Sequence, residues 1–130
     1  MIGIVIVANG NLGRELLCCV EQILGARPAA MLAVSLDGDY RRDEKQDEIC
    51  RAISEVEQGQ GVIVVTDAIG SSPANLSARA CTGPNRVIIA GANLPMLLKL
   101  SKCRNCELED AAGRAVEAGR KYVTIHRGDR

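Results

Sequence analysis

A chain of 130 residues with 16 basic and 16 acidic side chains reads as a single domain over residues 1–130. The charge balance leaves no surplus of Lys and Arg to track phosphates. Two tyrosines with no Phe or Trp make no stacking platform for bases, so nucleic acid is not an expected partner.

No run approaches the roughly 18 apolar residues that span a bilayer. The opening MIGIVIV lacks the basic region and small-residue cleavage site of a secretory leader, so it reads as a first core strand. Six cysteines invite a disulfide framework, but Cys18, Cys19, Cys50 and Cys81 lie inside or beside apolar patterns, where a thiol is an ordinary small hydrophobe. Reduced thiols and a cytoplasmic location are the simpler expectation.

In chain order, Ile2–Val7 is nearly continuous hydrophobic, as a strand buried on both faces requires. Leu12, Leu16, Leu17, Val20, Ile23 and Leu24 then repeat at helical spacing up to Gly25. Ala30–Leu36 is a second strand. Asp37–Glu48 is polar and charged, and its dense mixed-charge part Asp39–Glu48 reads as a solvated loop and helix start, or as a surface for a partner. Ile49, Ile53 and Val56 mark one face of a second helix that stops at Gly59 or Gly61. Gly61–Thr66 is the third strand, and Ser72-Pro73 reads as a helix start, hydroxyl cap followed by proline at the first helical position. Arg86–Ala90 is the fourth strand, and Asn93-Leu94-Pro95 opens the next helix. A last helix spans about Leu108–Ala118 and ends at Gly119. Lys121–His126 alternates, which predicts a half-exposed edge or antiparallel strand.

Strand–helix alternation predicts an open α/β sheet, mostly parallel, with helices on both faces. Sites in such sheets lie beyond the carboxyl ends of the strands. Three loops fall there: Ala8-Asn9-Gly10-Asn11, Asp67 to Ser72, and Gly91-Ala92-Asn93. Asp67 follows an apolar strand directly and is either the carboxylate that orients another group or a turn aspartate. Ser71 and Ser72 precede a helix whose free N–H groups attract anions; plain capping is the simpler role, and both can hold together. Asn9-Gly10 is by itself a common turn dipeptide, and what raises it is its expected place near Asp67 and Ser72.

The stretches MIGIVIVANGNLG, GVIVVTDAIGSSPANLSAR, VIIAGANLPMLLKL and AGRKYVTI closely resemble the IIA domain of the mannose family of the bacterial phosphoenolpyruvate-dependent sugar phosphotransferase system (PTS). The blocks run in order over essentially the full chain, and the AGRKYV ending is most similar to the stand-alone IIA proteins of alphaproteobacteria. The resemblance implies a doubly wound sheet of four parallel strands plus an antiparallel C-terminal strand, exchanged between the subunits of a homodimer. It implies a phosphoryl relay through one histidine at the tip of the first strand, from the phosphocarrier HPr to a IIB component or a regulatory target. It makes Asp67 the residue that orients the imidazole, sets Ser72 near the phosphoryl group with Gly10 and Ser71 beside it, and puts Asn93 in a loop bordering the cleft. No cofactor and no metal are implied.

The resemblance breaks at the acceptor. Where the family has Thr-His-Gly, this chain has Ala8-Asn9-Gly10. A neutral imidazole is nucleophilic near pH 7; a carboxamide nitrogen has its lone pair delocalised into the carbonyl, so Asn9 is not expected to carry a phosphoryl group. The second loop, Asp67-Ala68-Ile69-Gly70-Ser71-Ser72-Pro73, also departs from the family's usual Asp-Met-Phe-Gly-Gly-Thr-Pro. His126 is the sole histidine and lies far along the chain from these loops. Two functions follow: a IIA component in the phosphoryl relay, or a phosphorylation-deficient module that docks PTS partners.

Cys103-Arg104-Asn105-Cys106 has C-x-x-C spacing, which binds zinc or cycles as a dithiol in other settings. A structural zinc site needs about four ligands, no second pair stands at a finger-like spacing, and the motif does not follow a strand. The expectation is two unpaired thiols.

Overall fold

A computed structural model describes residues 1–68, 71–80 and 82–128. Ile69 and Gly70 of the second loop, and Cys81, lie outside the described residues. The strands β1 (Gly3–Asn9), β2 (Met31–Leu36), β3 (Val62–Thr66) and β4 (Arg86–Ala90) form one parallel sheet in the order β2-β1-β3-β4. The runs IGIVIV and GVIVVT are apolar on both faces because β1 and β3 occupy the middle of the sheet, where their aliphatic side chains are buried.

The pleat sorts those side chains into two layers. Ile4, Ile6, Ile63 and Val65 pack against α1 (Leu12–Leu24), α4 (Leu94–Lys102) and α5 (Leu108–Lys121). Val5, Val7, Val62 and Val64 pack against α2 (Arg42–Val56) and α3 (Ser72–Ala80). The doubly wound α/β architecture and its four parallel strands are therefore as the sequence predicts. Gly3 marks how closely α2 approaches: a Cβ there would collide with the Val56 carbonyl.

Three expectations need correction. The second helix starts at Arg42, inside the charged stretch as expected, but it ends at Val56 and not at Gly59 or Gly61: Glu57 is already extended, and its carboxylate accepts the N–H groups of both glycines. The last helix does not stop at Gly119 but runs to Lys121. Gly119 is there for packing: a Cβ would sit 3.2 Å from the Met96 methyl and 3.3 Å from Asn93 Oδ1. The strand expected over Lys121–His126 is absent within the chain. Lys121 closes α5, and residues 123–128 are exposed and carry no regular structure.

At the amino ends of the strands, the buried Arg104 ties the α4–α5 connection to the sheet. Its Nε donates to Ile2 O at 2.8 Å, and one terminal nitrogen donates to Ala29 O at 2.6 Å and Ala30 O at 3.0 Å. Burial lowers its pKa. Nearby, Glu57 pairs with Arg86 and accepts the N–H groups of Gly59 and Gly61 at 2.9 and 3.0 Å.

Candidate functional site

The chain winds from β1 outward to β2, then returns across β1 to β3 and β4, so the strand order reverses between β1 and β3. A crevice opens at the carboxyl ends of the strands at such a reversal. Asn9 ends β1 on one side of it, and Asp67 follows β3 on the other.

Both nitrogens of Asn9 donate to Asp67. The backbone N–H reaches Oδ2 at 3.2 Å and the side-chain Nδ2 reaches the same oxygen at 3.0 Å. A carboxylate only accepts, so it fixes which end of the amide faces it. The other oxygen, Oδ1, accepts from the Ala68 N–H at 2.9 Å and the Ser71 hydroxyl at 2.9 Å. Partial burial by itself would raise the Asp67 pKa; the Asn9 N–H, the Ser71 hydroxyl, the Ala68 N–H and the Asn9 amide outweigh it and hold the carboxyl below its ordinary range. Gly10 turns the chain away with φ +57° and anchors its N–H on Leu36 O at 3.0 Å.

The cap of α3 is Ser71, one residue earlier than the sequence pattern indicates. Its Oγ accepts the Ala74 N–H at 3.3 Å, its carbonyl accepts the Asn75 N–H at 3.0 Å, and its hydroxyl also lies 2.6 Å from Ala68 O. Two adjacent serines look alike in sequence; only Ser71 reaches Asp67 and Ala74 together. Ser72 is then the first residue of α3 and is exposed, and Pro73 is the second, where a missing N–H still costs no helical bond.

The third loop is drawn to the same end by Thr66, whose carbonyl accepts the N–H groups of Gly91 and Ala92 at 3.0 and 2.9 Å. Asn93 is engaged in structure. Its Oδ1 caps α4 through the Met96 N–H at 3.0 Å, and its Nδ2 donates to Gly119 O at 2.9 Å. An open groove of about 810 Å³ runs from Asp67 and Ala68 along the outer side of β4 to Arg120 on α5. The sequence reading passed over Arg120; its only signal was a basic residue in the last turn of a helix that ends near the strand tips.

His126 is not brought to this site. It lies on the exposed C-terminal segment with Nε2 3.0 Å from Thr124 Oγ1. Among the described residues, no three His, Cys, Asp or Glu side chains converge as a metal site would need. No helix there is long and apolar enough to cross a membrane. The assembled group is thus a carboxylate with both oxygens filled by donors, holding an amide at the strand tip, beside a capped helix start. It presents oriented hydrogen bonds and no nucleophile at position 9.

Comparison with known proteins identifies the family. The family model described as PTS system fructose IIA component matches residues 3–117. A protein of Escherichia coli K12 described as a phosphotransferase enzyme IIA component, YadI, is 28% identical over 105 residues, covering 80% of this chain and 71% of that protein. The mannose/sorbose-specific IIA subunit from Enterococcus faecalis shares the fold with a TM-score of 0.87 at 20% identity, over 99% of this chain and 97% of that one. The IIA protein associated with the fucose utilization operon of Streptococcus pneumoniae superposes with a TM-score of 0.75 at 26% identity, over 88% of each chain. With the family model covering residues 3–117, the chain belongs to the PTS fructose IIA component family.

Proposed function

We propose that the chain occupies the IIA position of a bacterial sugar phosphotransferase system, in the cytoplasm, as a single IIA domain over residues 1–130 that docks HPr and a IIB component or regulatory target without itself carrying the phosphoryl group. The observation that supports this most is the 3.0 Å bond from Asn9 Nδ2 to Asp67 Oδ2. A IIA protein needs a ring nitrogen there whose partner nitrogen is held by the aspartate. Here the aspartate keeps its partner, but the partner is an amide whose nitrogen has no available lone pair. Asp67, Ser71 and Ser72 keep the surrounding scaffold, with Gly10 turning the loop and Asn93 bracing the neighbouring one.

A homodimer with an exchanged C-terminal strand is part of this reading. β4 is an edge strand with an open groove along it. The segment after α5 carries Val123 at 75% and Ile125 at 96% exposure, a pair on one face of an extended chain. An apolar stripe so exposed and an unpaired strand edge complete one another when two copies trade segments.

The full relay is the second reading, favoured by the family match across residues 3–117 and by Asp67 and the hydroxyl of Ser72 at positions where the family has Asp and Thr. It requires an acceptor other than Asn9, and His126 is the sole histidine in the chain. Titrating isotope-labelled chain with unphosphorylated HPr tests the docking half of the proposal. Saturable chemical-shift changes at Asn9, Gly10, Leu12, Asp67 and Ser72 are expected; their absence at millimolar HPr would remove the assignment to HPr docking.

A further inference from the structure

At the end of the sheet away from Asn9, a tight turn carries two thiols that take no part in the strand-tip site. Cys103 ends α4, its N–H donating to Leu100 O at 3.0 Å. The Cys106 N–H then donates to Cys103 O at 3.2 Å and closes the turn Cys103-Arg104-Asn105-Cys106. A turn of this kind holds its end Cα atoms within about 7 Å, and disulfides are found at Cα separations of about 4.4–6.8 Å. The turn cannot drift open freely, because Arg104 inside it is pinned to the carbonyls of Ile2, Ala29 and Ala30.

The two sulfurs differ in access. Cys103 is buried at 4% exposure, whereas Cys106 is half-exposed and lines an open groove of about 480 Å³ with Gly59, Asn85 and Arg86. Burial pushes the Cys103 thiol up, and the neighbouring Cys106 pushes the same way; the cations of Arg114 and Lys99 pull it down. The accessible sulfur is therefore the one placed to react first. Among the described residues, no third His, Cys, Asp or Glu joins the pair, which favours sulfur–sulfur chemistry over metal binding.

We propose that Cys103 and Cys106 form a reversible dithiol–disulfide pair that exchanges with low-molecular-weight disulfides through Cys106. The Cys106 thiolate attacks one sulfur of the small disulfide, forming a mixed disulfide and expelling one thiolate. Cys103 gives up its proton to solvent and attacks the Cys106 sulfur, forming the intramolecular disulfide and expelling the second thiolate. Two protein thiols are oxidised and one small disulfide is reduced to two thiols. Both thiols are free in this structure, as the sequence reading expects, and the disulfide is the oxidised state that the proposal adds; it does not depend on the phosphotransferase reading.

The test equilibrates the folded, full-length chain in graded mixtures of reduced and oxidised glutathione, quenches with acid, alkylates, digests and maps cysteines by mass. The expected result is a Cys103–Cys106 cross-link that reverses with reductant. Cys103→Ser removes the resolving thiol, so a glutathione adduct at Cys106 should accumulate about tenfold or more above its level in the native chain. The proposal is overturned if Cys103 and Cys106 stay reduced where the exposed Cys18 forms adducts. It is equally overturned if the pair joins only after unfolding in urea; the native-chain arm needs no variant to fold.

Discussion

Asn9 and Asp67 face each other across the strand-order reversal, with the amide Nδ2 donating to the carboxylate Oδ2 at 3.0 Å. The same carboxylate gathers the Asn9 and Ala68 N–H groups and the Ser71 hydroxyl, so it joins the tips of β1 and β3 to the start of α3. Chemistry at this tip would need a nucleophile at position 9; holding the loops together needs only the carboxylate.

Asp67→Ala should therefore destabilise the fold. Water reaches the site and repairs part of the loss, so the expected cost is about 1–2 kcal/mol at pH 7 in urea unfolding. The folded-state pKa lies below the ordinary aspartate value of 3.8, so the carboxylate's contribution is full above that value and fades as pH falls through the folded pKa. The gap between native chain and variant should narrow in acid. A gap that is constant between neutral pH and the acid limit would show that the charge on Asp67 contributes nothing.

Much of this scaffold was legible in the sequence, and the failures have physical reasons. The α1 boundaries follow from Leu12 to Leu24 at helical spacing and from Gly25, which takes φ +81° at the C-cap. β4 is bounded as its apolar run predicts. The end of α2 was placed at Gly59 or Gly61, but the chain leaves the helix at Glu57, where the backbone turns extended and the side chain holds both glycine N–H groups. A glycine that ends a helix and one that lets two helices touch look identical, which misplaced the end of α5 at Gly119. Asp67 and Asn9 could be named from the strand tips, but the partition of donors between Oδ1 and Oδ2 depends on contacts 58 residues apart in the chain. Arg104 was invisible for the same reason, since its partners are about 75 to 102 residues away.

Asn93→Ala should cost about 1–2 kcal/mol, because it removes the α4 cap and the tie to Gly119 O together. HPr-induced shifts at Asn9 and Asp67 should persist in this variant. Their loss with the fold intact would reassign Asn93 from bracing to partner contact.

Arg104→Lys should destabilise by about 2–3 kcal/mol despite keeping the charge, since one ammonium cannot reproduce the guanidinium fork that meets Ile2, Ala29 and Ala30. Thermal and urea unfolding check this; a variant as stable as the native chain would show that charge alone suffices at this position.

Truncation after Tyr122 should leave far-UV circular dichroism nearly unchanged, because residues 123–128 carry no regular structure within the chain. In sedimentation equilibrium the full chain should behave as a dimer and the truncated chain as a monomer. A full chain that is monomeric at high micromolar concentration would contradict the exchanged strand.

The most direct measurement is phosphoryl transfer from labelled phospho-HPr to the native chain and to Asn9→His, scored as acid-labile phosphate on each. The native chain should stay unlabelled while Asn9→His becomes labelled, because Asp67 already stands ready to orient a ring at that position. Label on the native chain would contradict the account and make His126 the residue to map.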